Sequence, residues 1–464
     1  MTDFLAPTLD LARTLLEREQ ASPPEPPLAP DQIRSLVDLE PPGHGLGLER
    51  ALEVVGTVAE LTPMTSGRRF FNQLFAGREP ASASAEMLTS LLNTSMYTYK
   101  VAGVHALIEN EVLARMGELV GFDEVDGTFV PGGSLGNLVG MSLAVNERRP
   151  EFREHGHEGP RLRVYTSAEG HYSVRKSAGM MGLGRENVRT VAVDEAGRMS
   201  ATDLARKIVE DSSAGHEPTC VVATAGTTVR GAFDPIDELA DVAREHGLWL
   251  HVDGAFGGSL LLHPVLRRRL RGIERADSFV WDAHKMMGIP MPCSALLVSR
   301  RGLLHRHFQE AADYLYQQDS EDLNLGLKSI QCGRRNDALK LWAAWQALGD
   351  DGWARRLERQ FELLAHARQR VLDEATLELV DEPQCINLCF AVEGCRADVL
   401  CERLGAIGES LVGYGVVHGR KIVRLVTANP DLGVADLDRF FDGLLAEAAR
   451  LRALQPASAE VCAP

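Results

Sequence analysis

Asp253 and Lys285 are the two residues whose types and spacing suit a single piece of covalent chemistry. The acid closes the apolar run LWLHVD (Leu248–Asp253), and the lysine closes a second, SFVWDAHK (Ser278–Lys285), 32 positions later (285 minus 253). Short apolar runs stopped by small or polar residues read as buried parallel strands that deliver residues to the carboxyl edge of a sheet. Both side chains then face one crevice. A lysine amine can condense with an aldehyde, and a carboxylate against a pyridine nitrogen keeps it protonated, so the ring accepts electrons from a breaking bond. Ala255, two residues past the acid, lies on the same side of the strand, where a methyl lets a flat ring approach. A structural ion pair buried in an α/β core explains the acid and the lysine equally well. Their neighbours must break the tie.

The aldehyde and pyridine of that chemistry meet in pyridoxal phosphate, which also needs an anion cradle. FVPGGSLGN (Phe129–Asn137) has strand, turn and helix character, and Gly132, Gly133 and Ser134 would present backbone amides at a helix start, where the dipole favours a phosphate. His171, in VYTSAEGHYSVRKSAGMMG, follows an apolar run and precedes a helix; by itself such a histidine reads as a helix cap or surface residue. VVATAGTTVRGAFDPIDELADVAREHGLWLHVD predicts a βαβ unit. Thr227 ends its first strand, Asp234 caps the helix, Pro235 takes the first helical position, and Ile236, Leu239, Ala240 and Ala243 face inward before Gly247 ends it.

The ordered words FFNQ, NTSMYTY, TAGTT, GAFDPI, HVDGAFGG, DAHKMMG, CSALLV, YLYQQD and QCGR resemble the group II pyridoxal-phosphate decarboxylases, in their glutamate, cysteine sulfinate and aspartate decarboxylase branch. The resemblance runs from about Phe70 to Pro430. It implies an aspartate-aminotransferase-like (type I) α/β fold, a mixed but mostly parallel sheet with helices on both faces, and a homodimer with active sites at the subunit interface. By the same resemblance Lys285 holds the cofactor, Asp253 pairs with its ring nitrogen, His171 stacks on the ring, Thr227 lies against it and His284 contacts the phosphate. Gln73, Ser95, Tyr97 and Arg424 fall at substrate-binding positions. Ser95 and Tyr97 stand where glutamate decarboxylases carry asparagine and phenylalanine, which tilts the expectation towards shorter acids. Arg424 is a planar two-pronged donor suited to a carboxylate or sulfinate, although a structural salt bridge would use the same residue.

Two departures stand out. Asp282 replaces the asparagine of close animal relatives, and a carboxylate beside a phosphate would repel it, so it is expected to point elsewhere or to offer only its backbone. Relatives also carry, between QQD and QCGR, a mobile loop whose tyrosine protonates the carbon after carbon dioxide leaves; Ser320–Ile330 contains none. The resemblance therefore implies α-decarboxylation of aspartate, cysteine sulfinate, glutamate or a substituted aspartate. The alternative is decarboxylation coupled to oxygen-dependent deamination.

Composition bounds the rest. A chain of 464 residues with 45% hydrophobic and 25% charged content has the make-up of a soluble globular protein. A net charge of -16 argues against nucleic acid or an anionic membrane as partner, and no long apolar run or basic leader appears, so a cytoplasmic location is expected. Eight cysteines without a CxxC pair or zinc spacing predict free thiols, no disulfide and no metal. Three regions are expected: a helical N-terminal arm with the proline-rich ASPPEPPLAP hinge (1–64), a large cofactor-binding domain (65–330) and a small α+β domain (331–464).

Overall fold

The apolar runs before Asp253 and Lys285 are neighbouring parallel strands of one sheet in the computed structural model, which describes residues 4–21, 28–310 and 323–454. Its seven strands are β1 (Asp126–Val130), β2 (Leu162–Ser167), β3 (Val188–Val191), β4 (Glu217–Thr224), β5 (Trp249–Asp253), β6 (Ser278–Asp282) and β7 (Ser294–Val298). They are ordered β1-β7-β6-β5-β4-β2-β3, and β7 runs antiparallel to both its neighbours while the rest are parallel. Each of β5, β6 and β7 is buried along its whole length, which is why all three read as unbroken apolar runs rather than alternating ones.

The helix Gly133–Arg148 lies across β4 to β7, while the Ala201–Ser213 and Ile236–His246 helices pack on β3, β4 and β5. Three glycines let the first of these come unusually close. A Cβ on Gly133 would sit 2.8 Å from Asp282 Oδ2, on Gly136 2.1 Å from Val280 Cγ2, and on Gly140 2.5 Å from the His251 ring. Positions 133, 136, 137 and 140 share one helix face, so the approach that needs the glycines also carries Asn137 down onto the strand ends.

The βαβ unit forms with two differences. β4 stops at Thr224, so Thr227 lies in the following turn, where its hydroxyl accepts from the Ala232 amide at 3.0 Å. Pro235 is the residue before the helix, which starts at Ile236 without a side-chain cap. The Asp234 carboxylate accepts instead from the buried amides of Thr224 and Met199, both at 2.7 Å. Two buried N–H groups without partners cost more than one uncapped helix end, and that decides the matter. Ile236, Leu239, Ala240 and Ala243 are the buried face as expected, and Gly247 closes the helix in the left-handed region (φ 63°).

The chain divides into two compact units: the described parts of Met1–Gly77 with Leu363–Val380 and Leu388–Pro464, and Arg78–Glu362 with Asp381–Asn387, which holds the seven-stranded sheet. These limits do not coincide with breaks at 64/65 and 330/331. The first unit contains the helices Leu5–Ala21, Pro30–Leu36 and Leu48–Leu61 and an antiparallel sheet of β8 (Leu377–Leu379), β9 (Asn387–Val392), β10 (Gly413–Val417) and β11 (Arg420–Val426), ordered β10-β11-β9-β8. Its core is aromatic: Phe440 lies 5.0 Å from Phe71 and 5.2 Å from Phe441 between ring centroids. The long Ala338–Asp373 helix is interrupted at Gly349 (φ 61°), between the two apolar patterns seen in the sequence. Most of the proline-rich hinge and the C-terminal tail lie outside the described residues, among which no helix is long and apolar enough to cross a membrane.

The glycine contacts give a test. Alanine at a helix interior is worth up to ~1 kcal/mol over glycine, but at position 136 its methyl meets the buried, β-branched Val280 at 2.1 Å. Gly136→Ala should therefore lower stability by about 1–3 kcal/mol in chemical denaturation. Gly333→Ala, where nothing lies within 4 Å of the new methyl, should stay within about 0.5 kcal/mol of the parent.

Candidate active site

Alternation along β5 puts Trp249, His251 and Asp253 on the side that faces the Gly133–Arg148 helix. Asp253 is buried, and both its oxygens are engaged: Oδ1 accepts from the Ala255 amide at 3.1 Å and Oδ2 from Asn137 Nδ2 at 2.7 Å. The same Asn137 nitrogen donates to Ser173 Oγ (2.9 Å), and His251 Nε2 lies 2.9 Å from Asn137 Oδ1. Ser278 stands directly opposite His251 in the β5–β6 register, and its hydroxyl meets both His251 Nδ1 and Trp249 Nε1 at 2.8 Å. His171 joins through Ser173, whose hydroxyl lies 2.8 Å from Nδ1.

Lys285 follows the end of β6 by three residues, with Nζ 3.3 Å from Asp282 Oδ2. His284 Nε2 is 3.6 Å from the same oxygen, and its Nδ1 is packed against Cys293 O at 3.0 Å and Ser294 Oγ at 3.3 Å. Burial lowers the pKa of His284. Burial also lowers that of His171, opposed by the Asp253 carboxylate and reinforced by the Lys285 ammonium. Asp253 ends β5, and Lys285 lies just past the end of its parallel neighbour β6.

Asp282 does not point elsewhere. Val280 and Asp282 are two apart on β6 and share a face, so the strand turns the carboxylate towards Gly133 just as it turns Val280 towards Gly136. Strand parity outweighs the repulsion argument, and the neighbouring Lys285 ammonium offsets the burial of the charge. Its Oδ1 is buried and has no hydrogen-bond partner among the described residues.

Gly132 (φ 113°) precedes the helix as its cap, Gly133 is its first residue, and Ser134 is exposed beside it. Ala255 is buried, 2.9 Å from where a Gly133 Cβ would lie, so the Gly133 backbone faces the Ala255 methyl and the Asp282 carboxylate. An amine, an acid for a ring nitrogen, and a helix start stripped of side chains fit pyridoxal phosphate. Other expected residues lie apart from this cluster in their bonding. Ser95 Oγ accepts from the Arg334 amide at 3.2 Å, and the Tyr97 carbonyl accepts from the Gly326 amide at 2.9 Å. Gln73 is exposed in the other unit, where Arg424, in β11, is buried and donates to the Asn72 carbonyl. Of the tyrosine-free loop, residues 320–322 lie outside the described residues, and Leu325–Lys328 forms a single 3-10 turn.

Asn137, His251, Ser278, Trp249 and Ser173 were not singled out in the sequence. Two signals mark them in hindsight: polar or indole-bearing residues at every second position before Asp253, and an asparagine on the glycine face of the helix.

Burial pushes the His251 ring down to about 4 from an ordinary value of 6.5. As pH falls through that window the unfolded chain takes up a proton that the folded chain refuses, so this contribution to stability, fully present above the unfolded value, is lost towards the folded one. The loss amounts to roughly 3 kcal/mol. Denaturation midpoints measured across the window should show a steeper acid decline for the parent than for His251→Gln.

Comparison with known proteins agrees with this chemistry. Residues 30–393 match the family described as pyridoxal-dependent decarboxylase conserved domain. Cysteine sulfinic acid decarboxylase of Mus musculus is 42% identical over 433 residues, covering 88% of this chain and 88% of its own length. Acidic amino acid decarboxylase GADL1 of Mus musculus is 40% identical over 436 residues, covering 89% and 79%. The crystal structure of mouse CSAD superposes with a TM-score of 0.90 at 39% identity, covering 95% of this chain and 97% of that one, so the expected fold is the one observed. These relatives are named decarboxylases, and the oxygen-dependent alternative finds no support among them. The chain belongs to the pyridoxal-dependent decarboxylase family and is a pyridoxal-phosphate-dependent decarboxylase.

Proposed function

We propose that this enzyme removes the α-carboxylate of a small acidic amino acid, with cysteine sulfinate and aspartate ahead of glutamate and a substituted aspartate also accommodated. The observation that carries the reading is the placement of Asp253 at the end of β5 and of Lys285 three residues past the end of its parallel neighbour β6. The names of the mouse relatives support an acidic substrate, and Ser95 with Tyr97 supports a short one.

Pyridoxal phosphate, when bound, supplies an aldehyde for an amine and a ring that takes up the electrons of the breaking carbon–carbon bond. Lys285 is the amine that would hold it. Asp253 would keep the ring nitrogen protonated, His171 and Ala255 would flank the ring, and Thr227 would lie against it. The Gly132–Gly133–Ser134 helix start, with His284, would hold the phosphate. Asp282 gives the lysine an anionic neighbour at 3.3 Å. Arg424 and Gln73 would grip the acid group of the substrate side chain, a role for which a guanidinium is the best-shaped donor. Leu88, Leu91, Leu92 and Val104 are large apolar side chains left exposed on the helices Pro80–Leu92 and Val104–Val120. That surface supports a homodimer, which we place in the cytoplasm with active sites at the subunit interface as the family resemblance implies.

Three measurements test this reading. Holoenzyme given cysteine sulfinate, aspartate, glutamate and an aromatic amino acid should release carbon dioxide from the acids; turnover of the aromatic substrate alone would overturn the assignment. Lys285→Ala should lose the visible absorbance of the bound cofactor and drop kcat by at least ~1,000-fold. Arg424→Met should lower kcat/KM for the acidic substrate by roughly 30-fold or more, the cost of leaving a charge without its partner.

A further inference from the structure

A single chain of hydrogen bonds links Trp249 to both Asp253 and His171, and each bond in it has a determined sense. An indole N–H can only donate, so Trp249 Nε1 gives its proton to Ser278 Oγ (2.8 Å). Ser278 then turns its own proton to His251 Nδ1 at 2.8 Å, which leaves the His251 ring proton on Nε2. That N–H donates to Asn137 Oδ1 (2.9 Å), so the amide presents both hydrogens on its far side, one to Asp253 Oδ2 at 2.7 Å and one to Ser173 Oγ at 2.9 Å. Ser173 Oγ, already an acceptor, gives its proton to His171 Nδ1 at 2.8 Å, and the Ser173 backbone N–H points at the same nitrogen from 3.3 Å.

The sense of the chain is pinned from the Asp253 end, where a carboxylate can only accept. Reversing the Asn137 amide would set its oxygen against the Asp253 carboxylate and its N–H against the His251 N–H. Trp249, Ser278, His251, Asn137, Ser173 and Asp253 are all buried, so water does not offer them substitute partners. Burial also favours the uncharged form of both histidines.

We propose that Asn137 is a positioning residue whose amide, oriented by Trp249, Ser278 and His251, holds Asp253 as a pure acceptor and leaves the ring proton of His171 on Nε2. This rests on the reading of Asp253 and His171 as the pair that faces the cofactor. The consequence is directional. Donors on both oxygens of Asp253 leave it able only to accept from a ring nitrogen, and His171 keeps its Nδ1 bound and its N–H on the opposite edge of the imidazole.

The test begins with the full-length holoenzyme labelled with ¹⁵N-histidine, its ring signals assigned by their loss in His171→Gln and His251→Gln. Both rings should be Nε2–H tautomers at neutral pH; a proton on Nδ1 of either overturns the proposal. Asn137→Leu and Asn137→Asp should then lower kcat by about 10- to 100-fold with KM changed less than about 3-fold. Both should also shift the visible band of the bound cofactor, which loss of packing alone would not do. A folded, cofactor-loaded Asn137→Leu enzyme with parental kcat and an unmoved band would overturn it equally. Ring tautomers are read without turnover, so failure of the substrate assignment, seen as no carbon dioxide from any acidic amino acid, remains distinguishable from failure here.

Discussion

The approach of the Gly133–Arg148 helix to the carboxyl ends of β5 and β6 is the constraint on which the site depends. A Cβ at position 136 would meet Val280 Cγ2 at 2.1 Å, so either the strand side chain or the helix that carries Asn137 would have to shift. Gly133 also leaves the first position of the helix without a side chain. Glycine is a poor helix former, and its recurrence at 133, 136 and 140 makes sense only as a packing requirement of this sheet.

Electrostatics then divides the site into two parts. Around Asp253 the partners are neutral donors: an amide side chain, a backbone N–H and, further out, two histidines whose burial disfavours charge. Around Lys285 the partner is ionic, with Asp282 at 3.3 Å and the buried His284 ring beyond it. A carboxylate fixed by neutral dipoles is ready to receive a cationic ring nitrogen without first giving up an ion pair.

What the sequence disclosed follows the range of the interactions involved. The parallel strands, the glycine turn, the inward face of the Ile236–His246 helix and the Asp253 and Lys285 positions are carried by local words, and the structure shows each element where its word lies. Asp234 was misread because the rule for helix caps is local, whereas the buried amides of Met199 and Thr224 that claim its carboxylate are 35 and 10 residues away. Asp282 was misread because a pairwise repulsion was weighed without the parity of the strand that carries it. Asn137 went unnoticed for the same reason of range, since its partners His251 and Asp253 are 114 and 116 positions distant.

Parity also explains why one strand can serve both core and chemistry. Leu250 and Val252 point one way into apolar packing, while Trp249, His251 and Asp253 point the other, towards the helix. A buried polar row of this kind is stable only if each member is satisfied, because an unpaired group in a low-dielectric interior costs as much as several good bonds return. Removal of Trp249, Ser278 or His251 would therefore reach Asp253 through the alignment of Asn137, not through contact. In this strand the acid at the edge is backed by residues that are each paired.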